Sequence, residues 1–178
     1  VDRVARWPFF MKRASFGKLA AIGREALELN VGLSRPGFVA GFKPHLARAP
    51  LRPLARVAGR SYAARDVTRV FLRELIAHVA RATGERIDAL VVTTPVESFE
   101  RYRAELAQIA RDLGISDLQF LDEPVAAALG YTLGLQSTRA ALVVDFGGGT
   151  LDVAHVELSP ADSEKGRCRV LGKAGRPI

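Results

Sequence analysis

Two carboxylates and three glycines in the last third of the chain have the spacing that phosphate chemistry requires. They lie in the segment LVVDFGGGTLDVAHV, residues Leu142–Val156. Consecutive amide N–H groups in a glycine turn form an anion-binding concavity, because glycine lets other groups approach the backbone closely. Carboxylate oxygens suit Mg²⁺ or a water molecule beside a phosphate. The segment therefore predicts a phosphate-binding turn, and the alternative is a hairpin with a loose glycine turn.

The carboxylates, the glycines and the threonine of this segment have predicted roles. Asp145 and Asp152 are candidate metal ligands, and Asp152 is expected to act through a water molecule. The candidate phosphate-binding residues are Gly147, Gly148, Gly149 and Thr150. The apolar run Leu142–Val144 predicts a buried strand before the turn, and a β-prone stretch follows it.

The composition is ordinary for a globular protein and excludes several classes of site. The 178 residues are 48% hydrophobic and 25% charged, and the single cysteine, Cys168, excludes a disulfide framework and zinc motifs of spaced cysteines. The net charge of +7 suggests a nucleic-acid partner, but the basic residues between Lys43 and Arg73 recur with no interleaved aromatic platform on which bases could stack. No membrane-length apolar run or secretory signal is visible. We therefore expect a cytoplasmic protein with no nucleic-acid or membrane partner.

The elements that must position the turn are helices and strands in alternation. Ala63–Ala82 carries an apolar face at helical spacing, and Ile87–Thr93 is a predicted buried strand. A helix follows Pro95, and a strand at Leu118–Leu121 then leads to Glu123. Ligands of open α/β sheets bind beyond the carboxyl ends of the strands, so Glu123 is a candidate site residue.

Three segments, in order, resemble the actin-like ATPase superfamily, and most closely its DnaK-type seventy-kilodalton heat-shock chaperones. The turn DFGGGTLDVA is similar to that family's second phosphate loop, DLGGGTFDVS. The strand, proline and helix of Val91–Ile115 and the crossing helix LDEPVAAALGY at Leu121–Tyr131 also match. The resemblance runs from near Arg60 to Gly175 and is looser before Arg60.

This resemblance implies an α/β fold of the actin-like ATPase, or ribonuclease H-like, type, present in part and with parts of two lobes. It divides the chain into a peripheral part of the first lobe at 1–58, the core of that lobe at 59–135, and the start of the second lobe at 136–178. The first phosphate loop, the adenosine-binding part and a peptide-binding domain are not recognisable. We therefore expect an internal fragment or a truncated product that binds ATP weakly and does not hydrolyse it alone.

The implied function of the full-length parent is that of an ATPase in the stress response. It would bind ATP and Mg²⁺, hydrolyse ATP slowly, and couple nucleotide state to client polypeptides and co-chaperones. The residues that match catalytic positions of the family are Lys43, Glu123 and Asp145. A solvated surface lysine is the alternative for Lys43, and an acid favoured by the helix macrodipole is the alternative for Glu123.

Two further residues match positions that couple nucleotide state to the partner domain in the family. They are Pro95, after the predicted strand, and Arg103, on the helix that follows. Proline is common at helix starts because its missing N–H costs nothing there, and Arg103 also suits a solvated helix face. Both alternatives remain open at this point.

Two rival functions belong to the same fold. A bacterial actin-like filament protein also carries an EPxAAA helix and a GGGT loop, but such proteins usually have glutamate where this chain has Asp152. A small-molecule kinase, acting on a sugar or on acetate, is the second rival, but no sugar-binding loop is recognisable. The chaperone interpretation is therefore favoured.

Overall fold

The computed structural model describes most of the chain. The described stretches are 9–15, 18–30, 37–96, 100–131, 136–147, 150–163 and 167–177. Packing divides the chain into two compact units. The first unit comprises 1–90 and 99–118, and the second comprises 91–98 and 119–178. The lobe boundaries predicted after 58 and after 135 stay a prediction.

In the part of the chain that the structure describes, the first unit combines antiparallel strands with four helices. Its strands are β1 (Phe9–Ser15), β2 (Lys18–Ile22), β3 (Phe38–Val39), β4 (Pro53–Val57) and β5 (Arg60–Ala63). Its helices are α1 (Arg24–Leu29), α2 (Lys43–Arg48), α3 (Ala64–Thr83) and α4 (Glu100–Asp112). The first three strands form a sheet in the order β2-β1-β3, and β4 and β5 form a hairpin.

Helix α3 is the main core element of the first unit. Its apolar face buries Val67, Val70 and Phe71, and the Phe71 ring lies 5.2 Å from that of Phe42 between centroids. The helix ends at Gly84, whose φ of 74° is the left-handed conformation that glycine adopts at helix ends. The predicted helix Ala63–Ala82 is thus confirmed to within one residue at each end.

Strands β6 (Ala89–Thr94) and β7 (Asp117–Asp122) pair with each other, and most of each belongs to the second unit. The remaining elements of that unit are α5 (Glu123–Tyr131), β8 (Arg139–Phe146), β9 (Thr150–Leu158), α6 (Pro160–Ser163) and β10 (Arg169–Pro177). Strands β8, β9 and β10 form an antiparallel sheet in the order β10-β9-β8. Helix α5 packs on β8 and β9.

The core of the second unit lies between α5 and one face of this sheet. It buries residues Val125, Ala128, Ala154, Val156 and Leu158. The opposite face of β8 is exposed, with Leu142 at 67%, Val144 at 58% and Phe146 at 71%. The prediction that Leu142–Val144 is a buried strand is therefore wrong for that face, because successive side chains of a strand point to opposite sides and only one side is covered.

None of the helices in the described stretches combines the length and apolarity that a membrane span requires.

Candidate functional site

The β8–β9 hairpin places the two predicted metal ligands directly opposite each other. The antiparallel register pairs Asp145 with Asp152 and Phe146 with Leu151. Directly opposed residues share one face of a sheet, with Cβ atoms roughly 4.5–5.5 Å apart. Two carboxylates in such a pair repel each other, so a cation between or beside them would stabilise the hairpin.

The glycine turn that follows Asp145 is closed by a backbone hydrogen bond. The Gly147 N–H donates to the Thr150 carbonyl oxygen at 2.9 Å. A Cβ at Gly147 would lie 3.5 Å from that oxygen, which is ordinary van der Waals contact. The other two predicted phosphate ligands, Gly148 and Gly149, lie outside the described residues. Their contact with phosphate, and that of Gly147 and Thr150, stays a prediction.

Asp152 also has a structural role that the sequence did not reveal. Its side chain is buried with its residue only 1% exposed, and Oδ1 accepts a hydrogen bond from the Val96 N–H at 2.8 Å. Gly175 pairs with Asp152 across β9 and β10. A Cβ at Gly175 would overlap Asp152 Oδ1 and would lie 3.2 Å from the Val96 Cβ. Glycine at this position therefore leaves the space that the Asp152 carboxylate occupies.

The junction of β7 and α5 carries two adjacent carboxylates. Asp122 ends the strand and is buried, and Glu123 begins the helix and is half-buried. Asp122 forms an ion pair with Lys173, which lies on β10. Glu123, Asp145, Thr150 and Asp152 thus all belong to the second unit.

The other predicted site residues are distributed between the two units. Lys43 begins α2 in the first unit and is exposed, and its contact with a terminal phosphate stays a prediction. Arg103 is half-buried on α4 of the first unit. Pro95 directly precedes Val96 in the second unit. The coupling roles of Pro95 and Arg103 also stay predictions.

The carboxylates of the second unit are of the type that binds partly hydrated Mg²⁺ together with a nucleotide. Within the described stretches, no group of three or more His, Cys, Asp or Glu side chains could hold a metal ion by itself. Mg²⁺, however, usually keeps several water molecules and takes one or two carboxylates together with substrate phosphates. Asp145 and Asp152 supply two carboxylates of this kind, and their binding of Mg²⁺ stays a prediction.

The sequence model of a family described as MreB/Mbl protein matches residues 51–172, more than half of the chain. The chain belongs to the MreB/Mbl protein family. Its fold is therefore the α/β fold of the actin-like ATPases, and the predicted fold class is confirmed. The match covers α3, α4, α5 and the whole β8–β9 hairpin with its opposed carboxylates.

This MreB/Mbl-family chain is also similar to curated chaperones. It is 34% identical to chaperone protein DnaK of Thermus thermophilus over 102 residues, which are 57% of this chain and 17% of that protein. It is 36% identical to chaperone protein dnaK1 of Prochlorococcus marinus over 109 residues, 61% of this chain and 16% of the relative. The predicted resemblance to DnaK-type chaperones is confirmed, and the match spans about a sixth of each relative's length.

The sequence did not predict three of the groups around the site, which are the Val96 N–H, Lys173 and Gly175. The sequence predicts a short returning strand at Arg169–Leu171, whereas β10 extends to Pro177, and this extension carries both Lys173 and Gly175. Since alternate residues of a strand share a face, a longer predicted strand would have placed these two residues on the same side. Nothing in the local sequence indicates that the Val96 N–H bonds to a residue more than 50 positions away.

Proposed function

We propose that this chain forms part of an ATP-binding and ATP-hydrolysing domain of a heat-shock-type chaperone. The observation that carries the proposal is the Asp145–Asp152 pair at the base of the glycine turn, because opposed like charges suit a hairpin that binds a cation and phosphates. The identity to chaperone proteins named DnaK supports the chaperone assignment over the matched residues.

The residues of the chain would promote phosphoryl transfer by positioning the reacting groups and by stabilising the charge of the transition state. Asp145 and Asp152 would hold Mg²⁺, Asp152 through water, and the turn amides with the Thr150 hydroxyl would donate to phosphate oxygens. Glu123 would orient the attacking water, and Lys43 would lie near the terminal phosphate. Bound Mg²⁺ supplies neutralisation of the negative charge on the phosphates.

The proposed parent protein binds client polypeptides and co-chaperones in the cytoplasm, with Pro95 and Arg103 communicating the nucleotide state. The hydrogen bond from the Val96 N–H to Asp152 supports this role for Pro95. It attaches the residue after Pro95 to the same hairpin that carries the glycine turn. A change in the turn on nucleotide binding would therefore act on the segment after β6 through one side chain.

The proposal is tested by measuring Mg·ATP binding and hydrolysis by the natural polypeptide that carries these residues. Asp145→Asn should lower turnover by about a hundredfold, the scale on which loss of one electrostatic partner acts at an active site. Glu157→Gln, on the same hairpin, is the matched control because Glu157 pairs with the exposed Arg169 and should leave turnover unchanged. Turnover by Asp145→Asn equal to that of the wild type would reject the proposed site.

A nucleotide-dependent filament is the second candidate function. The match to the family described as MreB/Mbl protein, over residues 51–172, favours it. That family is one of actin-like ATPases, the superfamily to which the filament-forming alternative belongs. Sedimentation of the purified protein with and without Mg·ATP distinguishes the two candidates. Pelleting that requires nucleotide and grows with protein concentration would support assembly, whereas peptide-stimulated hydrolysis without pelleting would support the chaperone function.

A further inference from the structure

Strand β10 directs two residues to the buried face of its sheet. Lys173 pairs in register with Ala154, and Gly175 pairs with Asp152. Both partners on β9 are buried, so this is the face that packs on the core of the second unit. The ammonium group of Lys173 forms an ion pair with Asp122, whose side chain is only 10% exposed, while the Lys173 side chain is 45% exposed.

A carboxylate as buried as that of Asp122 is costly without a cationic partner, because burial removes most of its hydration. Asp122 is the residue that immediately precedes Glu123, and the two lie at the junction where β7 ends and α5 begins. An interaction that fixes Asp122 therefore fixes the backbone from which the Glu123 side chain extends.

We propose that Lys173 is a positioning residue for ATP hydrolysis, which acts through Asp122 to hold Glu123 at the start of α5. The inference rests on the proposed function, because Glu123 is there the residue that orients water. Lys173 does not contact the nucleotide in this proposal. Its removal should therefore impair the chemical step and leave nucleotide affinity nearly unchanged.

A second ion pair on the same two strands provides the matched control. Arg169 of β10 and Glu157 of β9 approach to 3.5 Å, with side chains 72% and 40% exposed. Exposed pairs of this kind contribute little, because water and salt screen the two charges. Arg169→Met thus removes a cation from β10 without leaving a buried carboxylate unpaired.

The experiment compares Lys173→Met, Lys173→Arg and Arg169→Met in the natural polypeptide that carries this chain. Steady-state ATP hydrolysis gives kcat and KM for each, and thermal unfolding reports the folded state. Lys173→Met should lower kcat about tenfold and change KM less than about twofold, since small displacements of a positioned group act on the chemical step. Lys173→Arg should recover most of the loss, and Arg169→Met should match the wild type.

Four results would overturn the inference. A Lys173→Met protein with wild-type kcat shows that the ion pair does not position a reacting group. A raised KM with unchanged kcat shows that Lys173 acts in nucleotide binding instead. A loss of kcat in Lys173→Arg equal to that in Lys173→Met shows that a positive charge at this position does not restrain Asp122. A loss of kcat in Arg169→Met equal to that in Lys173→Met shows that the effect is not specific to the Lys173–Asp122 pair.

A further variant covers the case in which Lys173→Met does not fold. Asp122→Asn combined with Lys173→Met removes both charges of the ion pair, so no buried carboxylate loses its cation while it is charged. The folded double variant should still show about a tenfold lower kcat, because the restraint on the β7–α5 junction is absent. Wild-type kcat in this variant would overturn the inference. A wild-type polypeptide without ATPase activity would instead reject the proposed function itself.

Discussion

Helices α3 and α4 of the first unit meet through Arg65 and Glu105, whereas strands β8 and β9 of the second unit place Asp145 opposite Asp152. In the first case two hydrogen bonds of 2.5 and 2.7 Å join opposite charges in a bidentate ion pair. The hydrogen bond to Glu105 raises the pKa of the Arg65 guanidinium, which therefore stays charged. In the second case like charges share one face of a hairpin.

A structural charge pair differs from a candidate functional one in whether its two members satisfy each other. Arg65 and Glu105 satisfy each other, so the pair needs no further ligand to be stable. Asp145 and Asp152 do not satisfy each other, and a cation or a donor from outside the pair lowers their energy. The Val96 N–H already donates such a hydrogen bond to Asp152. Three substitutions test the comparison.

The largest effect on stability is expected at Gly175. Gly175→Ala should lower the free energy of unfolding by about 2 kcal/mol, because the new methyl group would overlap Asp152 Oδ1 in a packed region. Chemical denaturation of the purified protein measures this change. Gly172→Ala on the same strand is the control, since a Cβ there has no neighbour within 4 Å. Equal stability of the two variants would show that Asp152 moves aside without cost.

A smaller loss is expected when the opposite-charge pair is broken. Arg65→Met should lower the free energy of unfolding by about 1 kcal/mol, which allows for the partial exposure of Arg65 and for screening by water. Arg69→Met, which removes an exposed ion pair to Asp66 on the same helix, should change it by less than about 0.5 kcal/mol. If the two variants lose the same stability, the Arg65–Glu105 pair contributes no more than a surface pair.

The smallest effect has the opposite sign. In Mg²⁺-free buffer, Asp145→Asn should raise the free energy of unfolding by about 0.5 kcal/mol, because it removes one of two like charges that face each other across the hairpin. The gain should shrink as salt is added, since salt screens the repulsion. A loss of stability on this substitution would show that Asp145 is held by donors within the folded chain, as Asp152 is.

The sequence predicted the hairpin and its carboxylates because local patterns determine them. Apolar runs on both sides of the glycine turn predicted two strands, and a short turn places Asp145 near Asp152. The order of helices and strands, together with the similar motifs, predicted the actin-like fold. These features depend on residues close together in the sequence or on motifs that match as a set.

The remaining features depend on packing between distant segments. The Lys173–Asp122 pair joins residues 51 positions apart, and neither residue type indicates which partner it will meet. The apolar character of Leu142 and Val144 does not indicate which face of β8 packs against α5. Glu74 of α3 is an acidic residue, a type that is mostly exposed in folded proteins, yet it is buried. Its position on the helix accounts for the burial, since Glu74 follows Val67, Val70 and Phe71 by seven, four and three residues and so shares their face.

The close packing of Gly175 on Asp152 also constrains the order in which substitutions can accumulate at these two positions. Any residue with a Cβ at 175 conflicts with the carboxylate at 152, so it should be tolerated better once residue 152 has become shorter. That earlier change removes the hydrogen bond to the Val96 N–H. The two positions are therefore expected to be coupled, with a substitution of Gly175 costing less stability after Asp152 has been shortened than before.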